Sequence, residues 1–297
     1  MKYLSLPNDP IVKHTRINAD DKVNLKKGFD PSYSLEQPKE ELQAKLAENI
    51  AATAKLQDIL YAASRYSLLI VFQAMDAGGK DGTIKHVFSG VNPQGCHVTS
   101  FKAPSEQELG HDYLWRCVRA LPERGRIGVF NRSYYEEVLI SRIHPDILEK
   151  QRLPNELIDK GMWKRRFEEI NTFEKYLTHN GTVIIKFFLN ISKEEQKKRF
   201  LDRIDRTHKN YKFAVGDAKE RGHWDEYMDV HEECLHATST DWAPWYVVPG
   251  DHKPTTRLCV SHVVRQTLES MGLKYPDITQ AQKDQLLVAK SILESEG

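Results

Sequence analysis

Short apolar runs separated by helical patterns limit the fold of this chain more than any other feature of its sequence. Their apolar residues are continuous and do not alternate with polar ones, which is typical of strands buried on both faces of a sheet. Strands that alternate with helices pair in parallel, with helices covering both faces. The sequence therefore predicts an α/β fold with a central parallel sheet. The predicted strands span residues 67–73, 97–101, 126–131, 182–189 and 245–248.

Helical periodicity predicts which segments cover this sheet. Apolar residues recur at three- and four-residue steps from Glu40 to Ala63, as an amphipathic helix requires. Ser192 and Glu195 have the spacing of a capping box, in which each side chain binds the backbone N–H of the other residue. Further helices are predicted at residues 80–90, 105–121, 134–149, 155–178 and 192–205.

The sequence predicts one folded domain after an N-terminal extension, because no stretch has the composition of a linker between domains. Residues 1–38 are polar, charged and interrupted by prolines, so we expect an N-terminal extension. Residues 39–297 are expected to form a single domain, which is long enough to bury a substantial core.

The segment between the first strand and its helix carries the clearest chemical signal. It reads VFQAMDAGGKDGTIKHVF, in which glycines allow a close approach to an anion and the following helix supplies unpaired N–H groups. Lys80 adds a full positive charge. The segment departs from the familiar phosphate-binding pattern, Gly-x4-Gly-Lys-Ser/Thr, because Ala74 replaces its first glycine and Asp81 replaces its hydroxyl residue. It predicts a phosphate-binding loop with unusual metal chemistry.

A second polar element follows the next strong strand. Ligands of open α/β sheets gather at the carboxyl ends of strands, so Asn131 and Arg132 are expected to face the same crevice as the loop. Arg132 can bind a phosphate through two N–H groups, and Glu136 lies about one helical turn further on. Taken alone, an arginine at a strand end forms a surface ion pair more often than it binds a ligand.

Together these motifs resemble those of the polyphosphate kinase 2 family. The resemblance rests on the sequences DAGGKDG at 76–82, NRSYY at 131–135, KKRFLDR at 197–203 and WDEY at 224–227. It implies a P-loop kinase fold similar to thymidylate kinase, with a central parallel sheet and a helical lid. It also implies a polyphosphate-dependent nucleotide kinase, which transfers the terminal phosphoryl group of inorganic polyphosphate to a nucleotide.

The resemblance also implies roles for individual residues. Asp76 matches the family's catalytic aspartate and Lys80 its phosphate-binding lysine, and Mg²⁺, for which Mn²⁺ could substitute, is the expected cofactor. Its expected ligands are Asp76, Asn131 and Glu136, since carboxylates suit a site where two phosphate-bearing substrates share metal ions. The residues expected to bind phosphate or nucleotide are Ala77, Gly78, Gly79, Asp81, Gly82, Thr83 and Lys85.

Asn131 is a departure from many members of the family, which carry aspartate at this position. Asn131 combined with Glu136 resembles class III of the family, whose members accept both AMP and ADP. An asparagine keeps an oxygen for the metal but removes one negative charge, which Glu136 can restore. We therefore expect AMP and ADP as acceptors, giving ADP and ATP.

Basic residues are dense between residues 193 and 222. Because acidic residues are interspersed, this segment could form an ordinary solvated helical face. In the family, however, it corresponds to the lid that closes over phosphates. Arg199 and Arg203 lie four residues apart on one helical face and are predicted to act with Arg132 in catalysis, by stabilising charge on the transferring phosphoryl group.

Two other functions stay open at this point. An ATP-dependent nucleoside monophosphate kinase would need an adenine pocket for its donor, and a non-catalytic polyphosphate- or RNA-binding module would bind phosphate without turnover. The 43 Lys and Arg nearly balance the 42 Asp and Glu, which argues against general nucleic-acid binding. His231 and His236 are five residues apart, about 140° around a helix, so they do not form a zinc-protease motif.

The expected setting is the cytoplasm. The N-terminus lacks the apolar core of a signal peptide, no stretch approaches the roughly 18 apolar residues of a membrane span, and the four cysteines show no disulfide spacing. The expected partners are inorganic polyphosphate and the adenine nucleotides AMP, ADP and ATP, with no nucleic acid and no membrane. The resemblance also implies a homodimer or homotetramer.

Overall fold

The predicted strands form one sheet within the described part of the chain. The computed structural model describes Leu6, residues 9–19 and residues 21–296. Neighbouring strands all pair in parallel, in the spatial order β2-β3-β1-β4-β5, which confirms the predicted fold class. The strands are β1 (Ser67–Ala74), β2 (Cys96–Ser100), β3 (Ile127–Asn131), β4 (Thr182–Asn190) and β5 (Trp245–Pro249).

Helices cover both faces of this sheet. The α-helices of the described residues are α1 (Pro10–Thr15), α2 (Lys39–Ala63), α3 (Lys80–Val87), α4 (Glu106–Leu109), α5 (Trp115–Val118), α6 (Glu136–Ile143), α7 (Pro145–Lys150), α8 (Met162–His179), α9 (Lys193–Asp205), α10 (Val215–Glu220), α11 (Trp224–Thr238), α12 (Lys253–Ser270) and α13 (Gln280–Glu294). On one face α12 contacts α1, α2 and α3, and on the other α11 contacts α6 and α8. In the part of the chain that the structure describes, no helix is long and apolar enough to cross a membrane.

The continuous apolar runs are explained by this two-sided cover. Consecutive residues of a strand point to opposite faces, and in β1 Leu69 and Val71 pack in the layer of α8 and α11. Leu68 and Ile70 pack instead in the layer of α12. All four side chains are fully buried, so every position of the strand favours an apolar residue.

Three of the predicted helices differ from those observed. The helix predicted at 105–121 consists of two short helices, α4 and α5, because Gly110 ends the first. The helix predicted at 134–149 is divided into α6 and α7 at Pro145, which has no N–H to continue the hydrogen-bond ladder. The helix predicted at 155–178 is α8 and begins later than expected.

The predicted capping box at α9 is half correct. The hydroxyl of Ser192 accepts a hydrogen bond from the N–H of Glu195, at 3.0 Å. The N–H of Ser192, however, donates to the carboxylate of Asp251 at 2.8 Å, and Glu195 binds Arg199 instead. The start of α9 is thereby attached to the loop that follows β5.

The N-terminal part of the chain lies against the β5 side of the sheet. The N–H of Ile17 donates to the carbonyl of Trp245 at 2.9 Å, and the amide of Asn190 donates to the carbonyl of Phe29 at 2.8 Å. Residues 1–5, 7, 8 and 20 of the predicted extension lie outside the described residues, as does residue 297. The domain boundary at residue 38 stays a prediction.

A charged cluster lies inside the otherwise apolar layer beneath β4. Lys186 has no exposed surface, and its Nζ donates to Glu174 (2.6 Å), to the hydroxyl of Tyr135 (2.8 Å) and to the carbonyl of Thr238 (2.8 Å). The hydroxyls of Tyr134 and Tyr135 both donate to Glu174 at 2.8 Å. Burial lowers the pKa of Lys186 and raises the pKa of both tyrosines. The cluster ties the turn after β3 to the middle of β4.

Replacing Lys186 is expected to destabilise the protein strongly. Lys186→Met leaves Glu174 buried without its cation, which costs about 3–5 kcal/mol of the free energy of unfolding. The measurement is denaturant unfolding. The double variant Lys186→Met, Glu174→Gln removes both charges and keeps an acceptor for the tyrosines, so it should recover much of the loss. Equal stability of Lys186→Met and the unchanged protein would show that the ion pair is not needed.

Candidate active site

The register of the sheet brings the two predicted elements of the site together. Phe72 of β1 is paired with Asn131 of β3, and the N–H of Arg132 donates to the carbonyl of Phe72 at 3.0 Å. The loop after β1 and the turn after β3 therefore start from adjacent positions at the carboxyl edge of the sheet, where open α/β sheets bind ligands.

The loop between β1 and α3 has a backbone that needs small residues. Gly79 has a φ of 94°, in the left-handed region that favours glycine. A Cβ on Gly78 would lie 2.5 Å from the Cβ of Ala74, so a larger residue at 78 does not fit. Ala77 has a φ of 58°, which costs a residue with a Cβ about 1 kcal/mol or more. Strain of this kind is often found where a backbone is shaped for a ligand.

Lys80 is buried at the first position of α3. Its Nζ donates to the carbonyl of Ala74 at 2.9 Å, so the protein itself fixes the side chain. Burial lowers the pKa of Lys80 to about 8, and the positive charge of Arg132 contributes to the lowering, against the opposing effect of nearby carboxylates. An anion beside this ammonium would stabilise its charged form.

Arg132 is held between two carboxylates. Its Nη2 lies 2.9 Å from Asp76 Oδ1, and its Nη1 lies 3.7 Å from Glu136 Oε2. Its φ of 63° turns the chain sharply after β3. Burial acts to lower the pKa of Arg132, but the carboxylates of Glu136, Asp76 and Asp81 outweigh it and raise the pKa. The guanidinium is thus kept charged at the edge of the sheet.

Asn131 is paired with the unusual aspartate of the loop. Its Nδ2 donates to Asp81 Oδ1 at 2.6 Å and lies 3.4 Å from the hydroxyl of Ser100. An aspartate at position 131 would repel Asp81 at this distance, whereas an amide can donate to it. The asparagine after β3 and the aspartate of the loop are therefore matched to each other.

The other residues predicted to belong to the site differ in whether they line the cleft around the loop. Residues 76–83, which include Gly82 and Thr83, line one cleft, whereas Lys85 is exposed and is not part of its wall. Arg199 also lines the cleft, but its guanidinium donates to backbone carbonyls, as described below. Arg203 lines the cleft with its guanidinium 5.6 Å from the ring centre of Phe200. The catalytic roles of both arginines stay predictions.

Arg132 lines a small pocket beside Asp76 and two larger cavities. The larger of these two cavities, which we call the basic cleft, has a volume of about 880 Å³ and contains the loop between β1 and α3. The smaller of the two, which we call the apolar pocket, has a volume of about 280 Å³. Both share Lys102, Ala103 and Arg132 as walls. Cations of the basic cleft outside the loop are Lys102, Arg132, Arg199, Arg203, Lys209, Lys253 and Arg257. Apolar walls of the pocket include Pro104, Leu109, Tyr113, Ile140 and Ile147.

Sequence reasoning missed several of these walls. Lys102 follows β2 as Arg132 follows β3, so the rule about strand ends could have found it. Arg257 lies on α12, which only the folded sheet brings to the loop. Tyr113 belongs to the turn between α4 and α5, in a segment predicted to be one helix.

A parallel sheet with a glycine-containing loop after β1, a lysine at the start of the next helix and a basic cleft above them defines the P-loop class of kinases. The model of the polyphosphate kinase 2 (PPK2) family matches residues 36–276. The chain therefore belongs to the polyphosphate kinase 2 family, as its motifs predicted, and is a phosphotransferase.

Individual relatives and a solved structure agree with this membership. The chain is 52% identical over 279 residues to the ADP-polyphosphate phosphotransferase of Rhodopseudomonas palustris, covering 93% of this chain and 96% of that protein. It is 42% identical over 267 residues to the AMP/ADP-polyphosphate phosphotransferase of Meiothermus ruber, covering 89% and 96%. The crystal structure of polyphosphate kinase 2 from Arthrobacter aurescens is similar with a TM-score of 0.83 at 37% identity, covering 97% of this chain and 99% of that one.

Two alanine substitutions in the loop are expected to differ in sign. Gly79→Ala places a Cβ at positive φ and should lower the free energy of unfolding by about 1–2 kcal/mol. Gly82 lies inside α3, and no atom lies within 4 Å of the point where a Cβ would stand, so Gly82→Ala should be neutral or raise it by up to about 1 kcal/mol. Thermal unfolding of both variants checks this. A larger loss for Gly82→Ala would contradict the loop geometry.

Proposed function

We propose that this protein is a polyphosphate-dependent nucleotide kinase that transfers the terminal phosphoryl group of inorganic polyphosphate to AMP and ADP. The observation that carries the proposal is the position of Arg132, which lines both the basic cleft and the apolar pocket. The name of the relative from R. palustris supports ADP as an acceptor, and that of the relative from M. ruber supports both AMP and ADP and with them the class III interpretation.

The basic cleft is suited to the phosphate chain. Its cations are spread from Lys102 past the loop to Lys253 and Arg257, so a chain of phosphates would find a positive partner at successive positions. Lys80 lies at the base of the cleft, at the end of the loop and the start of a helix, where phosphate oxygens find backbone N–H groups.

The apolar pocket is suited to the nucleoside of the acceptor. Nucleoside sites are mainly apolar with a few polar groups that fix orientation, as here with Tyr113 and Ile140 on the walls and Glu137 and Gln151 beside them. A nucleoside in this pocket would direct its phosphate toward Arg132. An ATP-dependent kinase would need a second pocket for adenine along the basic cleft, half of whose lining residues are charged.

Transfer between the two cavities needs charge stabilisation more than covalent chemistry by the protein. An oxygen of the acceptor phosphate attacks the terminal phosphorus of the chain, the bond from that phosphorus to the bridging oxygen breaks, and the chain leaves one phosphate shorter. Arg132 and Lys80 would stabilise the charge on the transferring group. Asp76 would orient the acceptor phosphate and hold Arg132, which it contacts at 2.9 Å.

The residues present fit a magnesium ion that arrives with the substrates. Among the described residues, no cluster of three or more His, Cys, Asp or Glu side chains is arranged to hold a metal. Mg²⁺ takes one or two protein carboxylates and completes its shell with phosphates and water, so Asp76 and Glu136, with Asn131, would suffice. Mn²⁺ accepts the same oxygen donors. The bound ion would supply charge neutralisation between the two substrates.

Two further features remain part of the proposal. Residues 193–222 would form the lid of a single kinase domain, since Arg203 and Lys209 of this segment line the basic cleft.

The chain would assemble as a homodimer or homotetramer. The apolar side chains of α13 support this, because Leu286 and Leu293 are 59% and 67% exposed.

Turnover without ATP tests the proposed function. The purified protein, supplied with Mg²⁺, polyphosphate and AMP, is expected to form ADP and then ATP, and with ADP to form ATP. Asp76→Asn, which keeps the shape and removes the charge, should lower the rate about 100-fold or more. Asp58→Asn, the same change at an exposed position of α2, is the matched control and should not lower it.

Other outcomes of this experiment would favour other functions. Reaction of ADP but not AMP would contradict the class III acceptor range and leave the donor intact. Reaction only after ATP is added would identify an ATP-dependent kinase. Salt-sensitive binding of polyphosphate with no turnover would identify a binding module.

Arg132→Lys is expected to lower kcat with ADP by about 100- to 1000-fold, because a lysine keeps the charge but loses the planar pair of N–H donors. Arg165→Lys, in a surface ion pair with Asp159, serves as the control. Steady-state kinetics separates an effect on substrate binding, seen in KM, from an effect on the transfer step, seen in kcat. A change in KM alone would show that Arg132 binds substrate without stabilising the transferring group.

A further inference from the structure

Helix α9 contacts the phosphate-binding loop through two side chains on one face. Gln196 is 2% exposed, and its Nε2 donates to the carbonyl of Asp76 at 2.9 Å. Arg199 is 9% exposed, and its Nη1 donates to the carbonyl of Ala77 at 3.0 Å. Residues three apart on a helix lie on the same face. One face of α9 therefore binds two consecutive carbonyl groups of the loop.

The orientation of the Gln196 amide is fixed by its second partner. Its Oε1 accepts a hydrogen bond from Arg221 Nη1 at 2.7 Å. An arginine can only donate, so the amide oxygen must face Arg221 and the NH2 group must face the carbonyl of Asp76. The hydrogen bond to the loop thus depends on Arg221, which also donates to the carbonyl of Lys193 at 3.0 Å.

The two bonded carbonyls belong to the peptide groups on either side of Ala77. This residue has a φ of 58°, a conformation that is unfavourable for any residue with a Cβ and persists only where neighbouring structure enforces it. Each flanking peptide plane is fixed by one side chain of α9, Gln196 on the Asp76 side and Arg199 on the Gly78 side. Together with the N–H of Gly78, which donates to the carbonyl of Met75 at 3.0 Å, they oppose relaxation to negative φ.

The guanidinium of Arg199 is committed to backbone and side-chain acceptors. Its Nε donates to Glu195 at 2.8 Å, and its Nη2 donates to the carbonyl of Gly250 at 2.6 Å. With Nη1 bound to Ala77, each of its nitrogens has a partner in the protein. This arrangement differs from a lid arginine whose donors are directed at a transferring phosphoryl group.

We propose that Gln196 and Arg199 are positioning residues that hold Ala77 in its left-handed conformation and thereby direct the Asp76 carboxylate at Arg132. The assignment rests on the proposed function for its catalytic consequence and on the contacts above for its geometry. Release of the Gln196 bond lets the peptide group between Asp76 and Ala77 rotate, which moves Asp76 relative to Arg132 without removing a cation of the basic cleft.

The same contacts join the loop to both ends of the segment 193–222. Gln196 lies near the start of this segment and Arg221 at its end, and the hydrogen bond between their side chains closes the segment on itself. The loop is therefore bonded to the same segment that bears Arg203 and Lys209, which line the basic cleft.

Gln196→Glu isolates the positioning bond. A glutamate keeps the size and the acceptor for Arg221 but loses the N–H that donates to the Asp76 carbonyl. We expect kcat with polyphosphate and ADP to fall about 10- to 100-fold while KM for polyphosphate changes less than about twofold. Gln43→Glu, the same substitution at an exposed position of α2, is the matched control and should leave both constants unchanged.

A crystal structure of Gln196→Glu tests the geometry independently of activity. We expect Ala77 to relax to negative φ and the 2.9 Å contact between Asp76 and Arg132 to lengthen. If Ala77 keeps its positive φ, or if kcat equals that of the control, the proposal is overturned. If Gln196→Glu does not fold, Arg221→Met, which leaves the amide without its orienting donor, takes its place with the same expected changes. If the protein without any substitution is inactive, the proposed function is contradicted. The crystal structure of Gln196→Glu would still decide the role of Gln196.

Discussion

The parallel pairing of β1 with β3 is the constraint on which the site depends. Because Phe72 is paired with Asn131, the strands end within two residues of each other, and the loop and the turn that follow them are neighbours. A shift of the register by one residue would move the side chains of a strand into the opposite helix layer, so the packing of both layers fixes the register. The ion pair between Asp76 and Arg132, which follow two different strands, is a consequence of that pairing.

Two sets of contacts fix the surroundings of this ion pair. The buried cluster of Lys186 and Glu174 holds the hydroxyls of Tyr134 and Tyr135, which closely follow the arginine turn. Helix α9 binds the carbonyls of the loop that bears Asp76. Catalysis by charge stabilisation benefits from groups that are fixed before the substrate arrives, because no reorganisation is then needed.

Much of this architecture could be predicted from the sequence because it depends on local patterns. The strands follow from continuous apolar runs, and the loop follows from the spacing of Gly78, Gly79 and Lys80. The role of Gln196 could not be predicted in this way, since a lone glutamine on a basic helix carries no signal until the fold places it against the loop. Arg199 is the opposite case. It lines the cleft, but its guanidinium binds backbone carbonyls such as that of Gly250, which the sequence does not indicate.

The predicted helix boundaries were wrong where a local feature of the backbone interrupts a periodic apolar pattern. The apolar pattern continues through Pro145, but the missing N–H divides the helix there. The sequence around Tyr113 predicts a helix, but α4 ends at Gly110. The turn that follows contains Tyr113, which forms a wall of the apolar pocket. The pocket therefore depends on an interruption that a periodic pattern does not reveal.

The most direct test is a crystal structure of the protein with AMP and a non-hydrolysable phosphate chain bound together. We expect the phosphate chain in the basic cleft from Arg257 to Lys102, the nucleoside in the apolar pocket beside Tyr113, and the guanidinium of Arg132 between the two. A nucleoside bound in the basic cleft, or an Arg132 that contacts neither phosphate group, would contradict the central claim that transfer takes place where the two cavities meet.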